Sequence, residues 1–136
     1  MIDSIKGTFL SNFWEVPIVY MGLTYRNAES AYQASKCADS LEKLQFCNLS
    51  GAQAKAKGRQ VKMVEDFCKL NVMKDILLNK FEQNPDLLAK LLATDNEKIE
   101  EGNSWGDTFW GVCNGKGQNQ LGKLLMVIRE EYKVNG

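Results

Sequence analysis

The chain contains no histidine, and that absence removes much of the ordinary equipment of enzymes. Imidazole is the commonest general base near neutral pH and the partner in Ser-His and Cys-His nucleophiles. Any catalysis here must use carboxylates, lysine, thiols or water. The four cysteines, Cys37, Cys47, Cys68 and Cys113, include no Cys-x-x-Cys pair, so without histidine they make no recognisable zinc site, and no metal is expected. They read as free, mostly buried thiols of a reducing cytosol. Net charge is also lacking, with 17 basic against 17 acidic residues. No overall positive field recruits nucleic acid by counterion release, so any contact with DNA or RNA is confined to a small part of the polymer. No apolar run approaches the roughly 20 residues needed to cross a bilayer. The N-terminus has none of the features of a secretory signal. A soluble, cytoplasmic protein without a membrane partner is expected. Its 136 residues suffice for one domain and not for two ordinary ones, so a single domain over residues 1–136, acting as a monomer, is expected.

What is present begins with a β-prone stretch. Ile18-Val-Tyr20, Met21-Gly22 and Leu23-Thr-Tyr25 read as a hairpin with a short turn, Pro17 at its start, and Leu10-Ser-Asn-Phe-Trp14 as a loop before it. Asn27 can cap a helix reaching about Lys36 or Asp39, with Glu29 favourably placed in its first turn. Asp39-Ser-Leu-Glu42 and Ser50-Gly-Ala-Gln53 resemble capping boxes that open two short helices, the second closed by Gly58. Apolar residues at 61, 64, 67, 68, 72, 73, 76, 77 and 81 follow a helical period up to Asn84-Pro85, and residues 86–92 make a further short helix. A last helix spans about Asn119 to Tyr132. The sum is an α+β fold, compact and mostly helical, with a small N-terminal β-hairpin.

Three stretches carry polar groups suited to chemistry. On the helix after Asn27, Glu29, Gln33 and Lys36 fall at i, i+4 and i+7, aligning a carboxylate, an amide and an amine on one stripe. The small and aromatic residues beside them, Ala28, Ala31, Tyr32 and Ala34, suit a buried helix whose stripe faces a cleft. Spacing alone is equally met by an exposed helix with surface pairing. In Asn103-Ser-Trp-Gly-Asp107-Thr-Phe-Trp-Gly111, rings alternate with glycines around one acid. They fit either a core or the aromatic wall of a pocket for a planar base. Gly115-Lys-Gly-Gln-Asn119 opens the last helix, where backbone N–H groups can receive a phosphate. It is neither a Walker loop nor a dinucleotide fingerprint. The cluster Lys55, Lys57, Arg59 and Lys62 reads as a solvated helix face.

Taken in order, Leu10-Ser-Asn-Phe-Trp14, Gly22-Leu-Thr-Tyr25, Glu29-Ser-Ala-Tyr-Gln-Ala-Ser-Lys36, Asp107-Thr-Phe-Trp-Gly111, Gly115-Lys-Gly-Gln-Asn119 and Leu121-Gly-Lys-Leu-Leu-Met126-Val-Ile-Arg129 resemble the NADAR (YbiA-like) family over nearly the whole chain. The resemblance implies a hydrolase of N-glycosidic bonds. Its substrates are ADP-ribose on the amino group of guanine in DNA or RNA, or reactive phosphorylated intermediates of riboflavin synthesis. It implies Glu29 and Lys36 as the catalytic pair, with Asp107 as a further proton carrier. Lys36 would attack an opened sugar aldehyde to form a Schiff base, or a carboxylate would activate water against an oxocarbenium-like centre. Phe13 and Trp110 would line ribose or base and Asn12 would hydrogen-bond it, with Gln33, Phe67, Asn103 and Gly111 around the substrate and Gly117 and Asn119 near its phosphate. No cofactor is implied. A cognate ADP-ribosyltransferase toxin is the partner such an activity would oppose.

Two departures bear on this. Many family members carry Glu-His where this chain has Glu29-Ser30, so that imidazole is not essential here. Where an Arg-x-x-Trp pattern is common, the chain reads Val64-Glu-Asp-Phe67, which loses an indole N–H and a charge that Arg59 or Lys62 would have to supply. Two other classes stay open on sequence grounds: a non-catalytic reader of ADP-ribose or NAD-like nucleotides, against which Glu29, Lys36 and Asp107 argue, and a structural partner protein that binds no nucleotide.

Overall fold

The computed structural model describes residues 1–135. Among them, six helices accompany two small two-stranded sheets, the α+β, mostly helical architecture expected. The chain divides into two compact units, a middle unit Asn12–Asn84 and a terminal unit formed by Met1–Ser11 with the chain from Pro85 onward. No helix among the described residues is long and apolar enough to cross a membrane.

The middle unit opens with the expected hairpin. Strands β1 (Ile18–Tyr20) and β2 (Leu23–Tyr25) pair antiparallel with Val19 opposite Thr24. Pro17 precedes β1, and Met21 and Gly22 turn the chain with φ of 51° and 85°, the sign pattern of a tight hairpin turn. Helix α1 (Ala28–Ala34) follows, capped by Asn27, whose side-chain oxygen accepts from the Ser30 N–H at 2.8 Å. All seven of its residues are buried. It stops at Ala34, short of the expected Lys36 or Asp39. The Ser35 hydroxyl donates back to the Ala31 carbonyl at 2.7 Å, and the N–H groups of Lys36 and Cys37 turn to carbonyls three residues back. That tightened turn ends the helix.

Helices α2 (Ser40–Leu44) and α3 (Gly51–Gly58) start at the expected caps: Asp39 accepts from the Glu42 N–H, and Ser50 and Gln53 exchange the two bonds of a capping box. Gly58 lies inside α3 and not beyond it, and Arg59 is the C-terminal cap.

Helix α4 (Lys69–Gln83) begins later than the apolar spacing from 61 suggests. The Val64 N–H donates to the Lys36 carbonyl at 3.0 Å, and the Phe67 ring meets the Tyr32 ring edge-on at 5.6 Å. Residues 61, 64 and 67 are therefore partly buried from an irregular segment, and their helical spacing is a coincidence of contact. At the other end of α4, the Gln83 side chain exchanges two 2.8 Å hydrogen bonds with the main chain of Val19, occupying polar groups that a lone hairpin would leave open to another strand.

In the terminal unit, α5 (Pro85–Ala93) starts one residue earlier than expected, with proline at the first helical position, where its missing N–H costs nothing. Helix α6 (Gln120–Asn135) packs on α5, and Leu87, Leu91, Leu121, Leu125 and Ile128 of the two helices are buried. Arg129 and Lys133 hold the turn after α5 by bonds to Thr94, Asp95 and Asn96. Ile2 exchanges main-chain bonds with Lys98 and Glu100. A second pair of strands, β3 (Gly102–Asn103) and β4 (Val112–Cys113), runs parallel. Strands of two residues, Gly-Asn and Val-Cys, are too short to show an alternation by which a sequence could announce them.

A lysine is sealed inside the core of the middle unit. Lys80 lies on the buried face of α4 with Met73, Ile76, Leu77 and Phe81 and is fully inaccessible. Burial lowers its pKa from the usual 10.5 to about 7. The folded chain thus refuses a proton that the unfolded chain accepts. The stability this contributes is complete above about pH 10.5 and is lost as pH falls towards about 7. Within that window the slope is at most about 1.4 kcal/mol per pH unit. The difference in unfolding free energy between wild type and Lys80→Met, measured by urea denaturation from pH 7 to 10, is expected to move in favour of wild type as pH rises. A constant difference would refute the assignment.

Candidate functional site

Each unit carries part of the residue set expected from the sequence. In the middle unit, α1 holds its polar stripe in a nearly water-free setting, with Glu29 9% and Gln33 6% exposed. Gln33 Nε2 donates to Glu29 Oε2 at 2.6 Å, a short charge-assisted bond one helical turn apart. The Glu29 N–H donates to the Asn12 carbonyl at 3.0 Å, which ties the Asn12 loop to the start of α1. The Asn12 side chain reaches the Met73 sulfur through Nδ2 at 3.5 Å, and its Oδ1 is buried without a hydrogen-bond partner, as is Gln33 Oε1. Unsatisfied buried acceptors are costly, and Asn12 Oδ1 is suited to receive a hydroxyl or amine from a ligand. The adjacent Phe13 is 42% exposed and lies against the first residue of α3, Gly51.

Lys36 sits just beyond the end of α1, half-buried, with Nζ 5.4 Å from the centroid of the Tyr32 ring. Its pKa is lowered. Burial is the largest cause and the Lys69 charge adds to it, while Glu29 acts the other way. The result is an amine more readily neutral than a surface lysine, which is the condition for nucleophilic attack. Tyr32 and Lys69 shape this amine although the sequence reading gave them no role. The Tyr32–Lys36 spacing of one helical turn is the signal that could have found the first. Phe67 touches Tyr32 and through it borders the lysine. Ser30 donates its hydroxyl to the Leu49 carbonyl at 2.8 Å and so serves the fold. Arg59 and Lys62 are exposed.

In the terminal unit, Asp107 organises its own loop. Its Oδ1 accepts from the N–H groups of Phe109 and Trp110 at 3.1 and 2.9 Å. Asn103 brackets it, Nδ2 donating to the Asp107 carbonyl at 2.8 Å and Oδ1 accepting from the Asp107 N–H at 3.0 Å. The loop presents Phe109 and Trp110 edge to face, centroids 4.8 Å apart, while Trp105 stays half-exposed with Lys6 Nζ 5.7 Å from its ring.

The start of α6 differs from the phosphate cradle expected there. The N–H groups of Gln118, Asn119, Gln120 and Leu121 donate to the carbonyls of Thr108, Gly111, Phe109 and Trp110 at 2.7–3.3 Å. The donors are taken by the loop that Asp107 shapes. Asn119, with φ of 53°, accepts from the Glu101 N–H and donates to the Ile99 carbonyl, each at 2.9 Å. Gly117 passes so close to Gly111 that a Cβ there would lie 2.1 Å from the Gly111 carbonyl oxygen. The positions given to Gly111, Gly117 and Asn119 are therefore explained by loop closure, which competing backbone acceptors decide and sequence does not display.

The middle unit thus presents a buried helix bearing an acid bonded to an amide, with a half-buried lysine of lowered pKa just beyond its end. The NADAR domain model matches residues 3–133, and the chain belongs to the NADAR domain family. It is 34% identical to the N-glycosidase YbiA of Escherichia coli K12 over 130 residues, covering 91% of this chain and 81% of that protein. An N-glycosidase of Nostoc punctiforme is 34% identical over 132 residues, covering 90% of this chain and 84% of the other. A riboflavin biosynthesis protein of Vibrio vulnificus is 35% identical over 131 residues, which are 92% of this chain but 35% of that longer protein. The NMR structure of Escherichia coli YbiA superposes with a TM-score of 0.81 at 35% identity, covering 93% of this chain and 78% of the other.

Asp107 offers a direct separation of fold from chemistry. Asp107→Ala removes the acceptor for two N–H groups and is expected to cost roughly 1–3 kcal/mol in chemical denaturation. Asp107→Asn keeps an oxygen acceptor and is expected to retain most of that stability. If both variants unfold like wild type, the loop does not depend on this side chain.

Proposed function

We propose that the protein hydrolyses the N-glycosidic bond between the anomeric carbon of a ribose and an amine-type nitrogen, its substrate being ADP-ribose attached to the amino group of guanine in DNA or RNA. The observation that carries the reading is the desolvated Lys36 amine at the end of the same buried helix that holds the Glu29–Gln33 pair. Membership of a family with N-glycosidase relatives supports it.

The chemistry follows from an amine and an acid. A solvent proton is taken up by the ring oxygen as the bond from the anomeric carbon to that oxygen breaks, leaving an iminium between the anomeric carbon and the guanine nitrogen; the later addition of water returns one proton to solvent. Neutral Lys36 adds to the anomeric carbon and loses a proton to the Glu29 carboxylate. That proton returns to the guanine nitrogen as the carbon–nitrogen bond breaks, so guanine departs with its amino group restored. The lysine is left as an iminium, water adds to it, and loss of the amine gives a ribose aldehyde that recloses. One water is consumed and the protein is regenerated. The enzyme that installs the modification, an ADP-ribosyltransferase, would be the natural counterpart.

A second substrate is favoured by one specific observation, the 35% identity over 92% of this chain to the Vibrio riboflavin biosynthesis protein. A phosphorylated ribosyl-amine intermediate of riboflavin synthesis presents the same anomeric carbon–nitrogen bond and undergoes the same steps.

The test is mass spectrometry of a guanine-ADP-ribosylated oligonucleotide, and in parallel of the riboflavin intermediate, incubated with wild type, Lys36→Ala and Glu29→Gln. Wild type is expected to release the ribosyl group. Lys36→Ala should be inactive, and Glu29→Gln slower by about 10²–10⁴-fold. Borohydride added during turnover should trap a covalent adduct on Lys36. The rate should climb with pH through a lysine pKa below the usual 10.5, because attack needs the neutral amine. Full activity in Lys36→Ala would eliminate the lysine mechanism, and inertness of wild type on both substrates would eliminate the function.

A further inference from the structure

Gly58, the last residue of α3, is buried, and its backbone is not among those at positive φ. Nothing in its conformation calls for glycine, which is a poor choice inside a helix where alanine is the best. Space does call for it. A Cβ at this position would lie 2.0 Å from Gln33 Oε1, 2.6 Å from Gln33 Cδ and 3.1 Å from Gln33 Cγ. The missing side chain is the slot in which the Gln33 carboxamide rests.

The other end of that carboxamide is the Nε2 that donates to Glu29 Oε2 at 2.6 Å. Its Oε1, lodged by Gly58, has no hydrogen-bond partner although Gln33 is only 6% exposed. An amide has two orientations, and only this one presents N–H to an ionised carboxylate. The buried oxygen is left unsatisfied in consequence. The family resemblance implies Gln33 as a substrate contact, whereas its observed polar bond is to the acid.

We infer that Gly58 and Gln33 are a positioning pair for Glu29: α3 supplies a slot of fixed size, the slot fixes the Gln33 carboxamide, and the carboxamide fixes the carboxylate that moves protons. The inference rests on the reading of Glu29 given under the proposed function. Neither residue is catalytic, since each acts through Glu29.

A double-mutant cycle of wild type, Gly58→Ala, Gln33→Ala and the double variant tests it. Gly58→Ala should lower Tm in the wild-type background, where the methyl meets the carboxamide, and raise it in the Gln33→Ala background, where the slot is empty and only helix propensity remains. With the ribosylated oligonucleotide, Gly58→Ala should reduce kcat by about tenfold to a hundredfold with KM within about twofold, as a displaced catalytic group does. In the Gln33→Ala background it should change kcat by less than about twofold. Equal effects in both backgrounds, on Tm or on kcat, would overturn the pairing. If Gly58→Ala fails to fold, a folded double variant supports the pair and an unfolded one overturns it. Should wild type turn over neither substrate, the proposed function fails by itself. The Tm cycle and the Gln33 side-chain 15N–1H resonance still decide the pair. That resonance is expected to shift in Glu29→Ala and in Gly58→Ala, and an unmoved signal in either would overturn it.

Discussion

The middle unit depends on keeping one seven-residue helix, α1, out of water. A helix of that length has no stability of its own, because nucleation is unfavourable and isolated helices below roughly 12–15 residues are marginal. Packing must hold it, and burial of every residue makes each polar group on it seek a bond, which all but the Gln33 Oε1 oxygen among those described below obtain. Asn27 caps it while donating to Glu15 and to the Leu49 carbonyl. The Ser30 hydroxyl takes the same carbonyl, and Gln33 answers Glu29. Alanines at 28, 31 and 34 leave room for neighbouring elements. The polar residues that look like an active-site inventory are thus also the reason the helix can be buried at all.

In the terminal unit the organising device is a loop and not a helix. Asp107 folds the segment from Phe109 to Gly111 back on itself, and the carbonyls so aligned receive the first N–H groups of α6. The carboxylate and the helix start are therefore coupled through the backbone, although the same glycine-rich opening reads in sequence as an anion site. A helix N-terminus is attractive to any acceptor, and here the protein's own carbonyls occupy it.

Legibility in the sequence followed the range of the interaction. Local chemistry was readable: the Met21-Gly22 turn, the caps at Asn27, Asp39 and Ser50, the Asn84-Pro85 break between α4 and α5, and the one-turn spacing of Glu29 and Gln33 all depend on neighbours within four residues. Contacts between distant segments were not. Residues 61–68 mimic a helix because Val64 and Phe67 are seated by Lys36 and Tyr32. The pairing of β3 with β4 joins residues with no strand pattern, and Gly58 reads as a helix stop when it is a cavity for a side chain on another helix. The direction of the Lys36 pKa is of the same kind, since burial, its main cause, is a property of the packed unit.

The absence of histidine bears on both buried amines of the middle unit. A site without imidazole must obtain a neutral base or nucleophile near physiological pH by changing the environment of a group that is ordinarily charged. Burial is the direct way, and it acts twice in the middle unit, on Lys36 at the end of α1 and on Lys80 within α4. The two differ in what burial can be used for. Lys80 is sealed from solvent, so its altered amine can only affect stability. Lys36 is half-buried, just beyond the end of the helix that carries Gln33 and Glu29, and the Glu29 charge acts on it. Partial burial leaves the Lys36 amine reachable from solvent while still favouring its neutral form, a combination that a fully sealed lysine does not have.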